Sequence, residues 1–217
     1  MATNQGLIRK LTARKQVIPV LTVDDPDDAL PLAQALVSAG MRYLEVTLRT
    51  EAALDAVRMI AGAVHRATVG VGTVTRRSDL ERAIRARAAF AVSPGTTADL
   101  LVASGELGLP LIPGVATPSE AMAAAEAGFP LLKLFPAAPL GAADYLRALA
   151  GPLPSVKFCP TGGLTFDTFE ELLALPNVPC VGGSWMVPKA ALEAKDWDAV
   201  RVSAKKTQDK VRALRDA

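Results

Sequence analysis

The sequence is poor in the side chains that build metal centres and base-stacking surfaces. It has one histidine, His65, and two cysteines, Cys159 and Cys180. A transition-metal site made from His and Cys is therefore not expected, although a carboxylate site for a hard cation stays open on this count. The two cysteines lie in apolar segments and form no paired motif, so they read as reduced core residues of a cytoplasmic protein. Aromatic residues make up 5% of the chain, too few for a base-stacking surface. The net charge of +2 gives no electrostatic case for nucleic acid or an anionic membrane. No apolar run reaches the length of a membrane span, and "MATNQGLIRKLTARKQ" lacks the apolar segment of a secretory leader. No linker or low-complexity stretch divides the chain. What remains is a 217-residue chain, half of it hydrophobic, which is enough for one sizeable core and one domain over 1–217.

Short β-rich runs recur along that chain: "VIPVLTV" (17–23), "RYLEVTL" (42–48), "ATVGVGT" (67–73), "AAFAVS" (88–93), "PLIPG" (110–114), "LLKLF" (131–135), "SVKFCP" (155–160) and "VPCVGGS" (178–184). Their starts are roughly 20 to 25 residues apart, the period of a repeated supersecondary unit. Between them lie Ala/Leu/Glu/Arg-rich stretches with apolar residues at helical spacing. "VDDP" and "TPSE" suit helix starts, and Gly40 and Gly128 suit helix C-termini. Eight strand–helix repeats predict an α/β fold of the (β/α)₈ (TIM) barrel type, with a short basic N-terminal helix covering the barrel bottom. An open doubly wound sheet is the competitor, but "TVDDPDD" after the first run contains no nucleotide-binding glycine loop.

Alternation along each strand then sorts side chains by face. Leu44, Val46 and Leu48 share one face of the second run and should meet the helices. Tyr43, Glu45, Thr47 and Arg49 share the other and should look into the barrel, Arg49 nearest its C-terminal mouth. In "LLKLF", Leu131, Lys133 and Phe135 point inward. Branched apolar residues normally fill such an interior, so a Lys and a Glu there need a reason. A structural ion pair is one. The other is a Schiff-base lysine with a carboxylate that moves protons, Arg49 being the nearby cation that favours a neutral amine.

The C-terminal strand ends, where chemistry sits in these barrels, carry small and polar residues. Thr73 closes "GVGT", shares parity with Val69 and Val71, and is expected to face inward. Pro94 follows the fourth run. "TGG" (161–163) and "GGS" (182–184) follow the last two runs, the usual phosphate position in this fold. Glycine backbone there, with a helix N-terminus behind it, would suit a phosphate; tight turns without a ligand are the alternative. His65 is expected on the surface, Trp185 and Trp197 in packing, and the charged C-terminal stretch as an amphipathic helix with a solvated face.

From about Val17 to Leu192 the chain resembles the 2-keto-3-deoxy-6-phosphogluconate (KDPG) aldolases, also described as 4-hydroxy-2-oxoglutarate (KHG) aldolases. "GMRYLEVTLRT" and "GFPLLKLFPAAPLG" are the most specific stretches, and "VGTV", "SPG", "IPG", "FCPTGG" and "GGSWMVP" follow in the family's order. The resemblance implies a class I aldolase acting on a 2-oxo acid phosphate without cofactor or metal. It also implies a homotrimer and a place in the Entner–Doudoroff pathway. Lys133 would form the Schiff base and Glu45 would be the general acid/base. Arg49, Thr73 and Thr161 would bind the pyruvyl carboxylate or its surroundings, Pro94 and Phe135 would line the pocket, and Gly162, Gly163, Gly183 and Ser184 would hold the phosphate. Val71 departs from the Ala expected in many relatives. Thr47, Arg49 and Thr161 favour a gluconate-type enzyme over one for the 6-phosphogalactonate epimer. The remaining alternatives are a sugar-phosphate epimerase or isomerase using Glu45 as base, and a non-catalytic barrel that binds a phosphorylated ligand.

Overall fold

The computed structural model describes the backbone of residues 2–216 and the side chains from Gly6 to Asp216; Met1 and Ala217, the ends of the expected domain, lie outside it. Nine short strands alternate with helices: β1 (Gln16–Leu21), β2 (Tyr43–Thr47), β3 (Thr68–Gly72), β4 (Ala91–Val92), β5 (Leu111–Ile112), β6 (Gly114–Val115), β7 (Leu131–Leu134), β8 (Lys157–Phe158) and β9 (Cys180–Gly183). The hydrogen-bonded orders are β5-β4-β3-β2-β1-β9 and β6-β7-β8, every pair parallel. Two links close them into a ring. β5 and β6 are one barrel strand broken at Pro113, whose carbonyl still accepts from Lys133 N–H. Thr161 bridges to Gly182, joining the end of β8 to β9. The closed ring has eight staves, as the repeat predicts.

The expected runs at 110–114 and 155–160 are shorter as regular strands for one reason. Proline has no N–H to give the ladder, and Pro113 and Pro160 interrupt it. The run at 110–114 also continues one residue further, to Val115.

Alternation divides the apolar residues into two cores. Leu44, Val46, Val69, Val71, Leu132 and Leu134 belong to the larger one, between the strands and the surrounding helices. Ile18, Phe90, Val92, Ile112, Leu131, Cys159 and Cys180 fill the barrel interior and are joined there by Ile8 and Leu11. Those two residues lie on α1 (Ala2–Thr12), so the N-terminal helix plugs the bottom of the barrel. Both cysteines are free and buried.

The remaining helices are α2 (Ala29–Ser38), α3 (Ala53–Ala63), α4 (Arg77–Arg85), α5 (Ala98–Leu107), α6 (Pro118–Glu126), α7 (Ala142–Ala150), α8 (Phe169–Ala174), α9 (Lys189–Glu193) and α10 (Trp197–Asp216). Their ends follow the sequence signals. "TPSE" forms a capping box in which Thr117 and Glu120 each accept from the other's side of the turn, with Pro118 in the first turn. Gly40 ends α2 at a φ of 99°, with Gly40 N–H donating to Val37 and Met41 N–H to Leu36. This is the Schellman arrangement, which needs a left-handed residue. The C-terminal helix is more than a solvated face: Val200, Ala204, Thr207 and Val211 are buried, and Trp185 stacks on Phe169 while its indole N–H donates to Thr207. His65 is exposed.

Candidate active site

Among the described residues, the barrel interior holds one ion pair. Lys133 stands on β7 and Glu45 on β2, and their side chains meet at 3.5 Å between Nζ and Oε1. The residues are only 5% and 3% exposed. Burying two charges is costly unless each has a partner, and here each is the other's. The two strands are not neighbours in the ring, so the pair spans the interior rather than a ladder.

Absent side chains make room for it. Gly70 is the register partner of Glu45, and Gly72 lies two residues further along β3. A Cβ on Gly72 would overlap the Glu45 carboxylate, and one on Gly70 would enter the Phe90 ring. Gly114 is the register partner of Lys133. A Cβ there would collide with the backbone of Pro94 and Gly95, so this glycine lets the loop after β4 fold over β6. Buried Ser93 accepts from Gly114 N–H at 3.1 Å and holds the strand break in place. The sequence reading missed these three glycines and Ser93. The available signal was "GVG" with glycines two apart, which face the interior from a strand that neighbours the Glu45 strand.

Phe135 follows Lys133 by two residues and shares its side of the strand. Its ring centroid lies 5.1 Å from Lys133 Nζ, within cation–π range. The same ring abuts Gly162, where a Cβ would meet it, so Phe135 sits between the lysine and the loop after β8. Thr161 is buried, with Oγ1 donating to the Cys159 carbonyl at 3.3 Å and its side chain against Gly182. Gly162 and Gly163 adopt φ of 100° and 77°, the left-handed region that glycine enters without strain. Neither their N–H groups nor that of Ser184 donates a backbone hydrogen bond among the described residues. These donors at the barrel mouth are open.

Four expectations are corrected. Val69 and Val71 face the helices, and Gly70 and Gly72 face the interior, so parity with the valines does not turn Thr73 inward. Thr73 lies beyond β3 at a φ of 63°, where the chain is no longer extended and alternation stops. Arg49 is likewise off its strand, because β2 ends at Thr47. It is exposed in the following turn and makes no hydrogen bond or ion pair among the described residues, so strand alternation does not turn it inward. Gly183 is the last residue of β9, paired with Pro19, rather than part of a loop; a Cβ on it would enter the Trp185 ring. Finally, no helix starts directly behind either glycine pair: α8 begins at Phe169 and α9 at Lys189.

Among the described residues, no three His, Cys, Asp or Glu side chains gather as a metal site. No helix there is long and apolar enough to cross a membrane.

Comparison with known proteins agrees with this architecture. Residues 8–203 match the family model described as KDPG and KHG aldolase. The chain is 48% identical over 189 residues to a 2-dehydro-3-deoxy-phosphogluconate aldolase of Pseudoalteromonas atlantica, spanning 87% of this chain and 88% of that protein. It superposes with a TM-score of 0.87 on the KDPG aldolase of Legionella pneumophila, solved with pyruvate captured as a covalent carbinolamine; identity is 43%, over 90% of this chain and 95% of the other. The aldolase of Zymomonas mobilis with 3-phosphoglycerate has the same TM-score at 39% identity, over 92% and 94% of the two chains. With the closed barrel, its internal Lys–Glu pair and matches over nearly the whole length, the chain belongs to the KDPG and KHG aldolase family.

Proposed function

We propose that this protein is a class I aldolase that cleaves 2-keto-3-deoxy-6-phosphogluconate to pyruvate and D-glyceraldehyde 3-phosphate, and that it also acts on 4-hydroxy-2-oxoglutarate. The observation that carries this reading is the buried Lys133–Glu45 pair inside the barrel. The relatives' names and the covalent pyruvate carbinolamine of the Legionella protein support it.

The chemistry runs through the lysine. Glu45 accepts a proton from Lys133, and the amine attacks C2 of the substrate. Glu45 returns that proton to the carbinolamine hydroxyl, which leaves as water to give an iminium and restores the carboxylate. Glu45, directly or through one water, takes the C4 hydroxyl proton as the C3–C4 bond breaks and the bonding electrons move into the iminium to form an enamine. Glyceraldehyde 3-phosphate leaves, C3 is protonated, and water hydrolyses the imine, releasing pyruvate and the free amine. One difficult cleavage thus becomes several easier steps.

In this reading Phe135 and Pro94 line the pocket, and Thr161, Thr73 and Arg49 serve the carboxylate end of the substrate. Arg49, unpartnered at the mouth, is free to reach a carboxylate once substrate is present. The open N–H groups of Gly162, Gly163 and Ser184 take the phosphate, with Gly183 setting the position of Ser184. No cofactor or metal is part of this scheme. We further read the chain as one cytoplasmic domain of the Entner–Doudoroff pathway and as a homotrimer. Ile84, Val102 and Met122, exposed apolar side chains on the successive helices α4, α5 and α6, support an association face.

Borohydride reduction in the presence of pyruvate, followed by peptide mass spectrometry, tests the proposal. A reduced pyruvyl adduct on Lys133, lost in Lys133→Ala, is the expected result. Folded protein without an adduct would overturn the Schiff-base mechanism.

A further inference from the structure

The barrel end opposite the glycine loops carries a cluster of cations. An open cavity of about 570 Å³ there is lined by Arg14, Lys15, Lys157 and Arg215, together with Pro176, Pro179 and Leu214. Arg14 and Lys15 immediately precede β1, Lys157 begins β8, and Pro179 immediately precedes β9, so the cavity sits over the N-terminal ends of three adjacent staves. None of the four cations forms a salt bridge among the described residues, although the chain has nearly as many acidic as basic side chains.

Three of the four cations are held in place by backbone carbonyls. Lys15 Nζ donates to the carbonyls of Leu175 and Val178 at 2.6 and 2.9 Å. Lys157 Nζ donates to Pro176 O at 3.3 Å, and Arg215 Nε donates to Lys15 O at 2.7 Å. Each lysine therefore keeps at least one N–H free, Arg215 keeps its terminal nitrogens, and Arg14 makes no hydrogen bond among the described residues. Burial, and after it the neighbouring cations, disfavour the charged forms of two of these groups. Lys15 is lowered from its ordinary value by burial and by Lys157, with Cys180 opposing, and Arg215 is lowered by burial, Arg14 and Arg212, with Asp216 opposing. Positioned donors, excess positive charge and an apolar wall describe a receptor for a multiply charged anion.

We propose that this cavity binds a small organic metabolite carrying two or more phosphate groups. Four cations exceed what a single monoester neutralises. The volume falls in the range of small-molecule pockets and exceeds that needed for inorganic phosphate alone. Pro176, Pro179 and Leu214 offer the apolar surface that an organic moiety would cover. The site is at the far end of the barrel from Lys133.

Isothermal titration calorimetry of the full chain with ATP, free of magnesium, and with inorganic pyrophosphate tests this. The expected result is one site per chain for each probe, ATP binding tighter than pyrophosphate and both weakening as salt rises. Arg14→Ala removes an exposed side chain without hydrogen bonds and should weaken both probes about tenfold; Arg14→Ala with Lys157→Ala should weaken them about a hundredfold. Circular dichroism should be unchanged. Absence of binding at millimolar probe would overturn the proposal. So would equal affinity of the single variant and the wild type, because the anion would then lie elsewhere, at the strand-end glycines for instance.

Discussion

The Glu45 carboxylate occupies the space that a side chain on residue 72 would fill, and it reaches Lys133 because that residue is Gly72. β3 thus shapes the ion pair without contributing a functional group to it. Adding one methyl at Gly72 forces the carboxylate to move. Gly72→Ala should fold, since residue 72 has ordinary extended backbone, yet lose about 100-fold in kcat/KM for KDPG cleavage, the usual consequence of a misplacement near 1 Å. Steady-state kinetics on protein with unchanged circular dichroism would check this. Near wild-type activity would mean that the Glu45 position is not critical.

Glu45 and Lys133 can be separated by the step each serves. In Glu45→Gln the amine remains, so borohydride should still trap a pyruvate adduct, more slowly. Turnover should fall about 10²- to 10⁴-fold, the range of a lost general acid/base. The variant should also be less stable, because it leaves a buried lysine without its counter-charge. An unaltered turnover number would remove Glu45 from the proton path.

Much of this was legible in the amino-acid pattern. Period-two alternation puts Glu45 and Lys133 on inward faces because both lie in the middle of regular strands. The same rule fails at Arg49 and Thr73, each of which lies past the last paired residue of its strand. Alternation is a property of extended backbone, and it carries no information once φ turns positive, as at Thr73. It also fails in "GVGT" because the valines were assigned to the interior. On that stave the interior is occupied from the side by Glu45 and Phe90, and the inward positions have to be empty. Proline accounts for the breaks at Pro113 and Pro160, hydrogen-bond effects that leave the path of the chain intact.

The glycine loops allow phosphate recognition to be tested apart from cleavage. Ser184 is exposed and at the barrel mouth, next to open N–H groups. Ser184→Glu puts a negative charge where the phosphate is proposed to bind. KM for KDPG should rise by about tenfold or more through like-charge repulsion, while cleavage of the unphosphorylated 4-hydroxy-2-oxoglutarate should change by about threefold at most. Equal effects on the two substrates would place the phosphate elsewhere.

One helix end is less well served than its neighbours. Arg87 N–H donates to Ile84 and Ala88 N–H to Ala83, the same closing pattern that Gly40 makes, but with an arginine at a φ of 64°. The left-handed conformation costs a residue with a Cβ roughly 1–2 kcal/mol. Glycine avoids this while losing more entropy on folding, so Arg87→Gly should stabilise by about 0.5 kcal/mol net. Arg87 is exposed and makes no ion pair among the described residues. A rise in the urea midpoint at constant slope would agree; a fall would show that the arginine holds a contact outweighing its strain.

The capping box at α6 makes a small part of the stability depend on pH, with a definite sign. Glu120 accepts hydrogen bonds from Ala116 N–H at 2.7 Å and Thr117 N–H at 2.9 Å, and the first of these does most to lower its pKa below the ordinary 4.5. A carboxyl depressed on folding stabilises the native state while it is ionised. Its contribution is complete above 4.5 and is lost as the pH falls through the lower, folded value. Because the side chain is exposed, solvent screening limits the effect to about 0.5 kcal/mol. Glu120→Gln keeps an acceptor but cannot ionise, so it should be less stable than wild type at pH 7. The two proteins should converge as the pH falls below the lowered folded value. Urea unfolding of both across that range would measure the gap, and a gap independent of pH would mean that the cap acts through the geometry of the turn rather than through its charge.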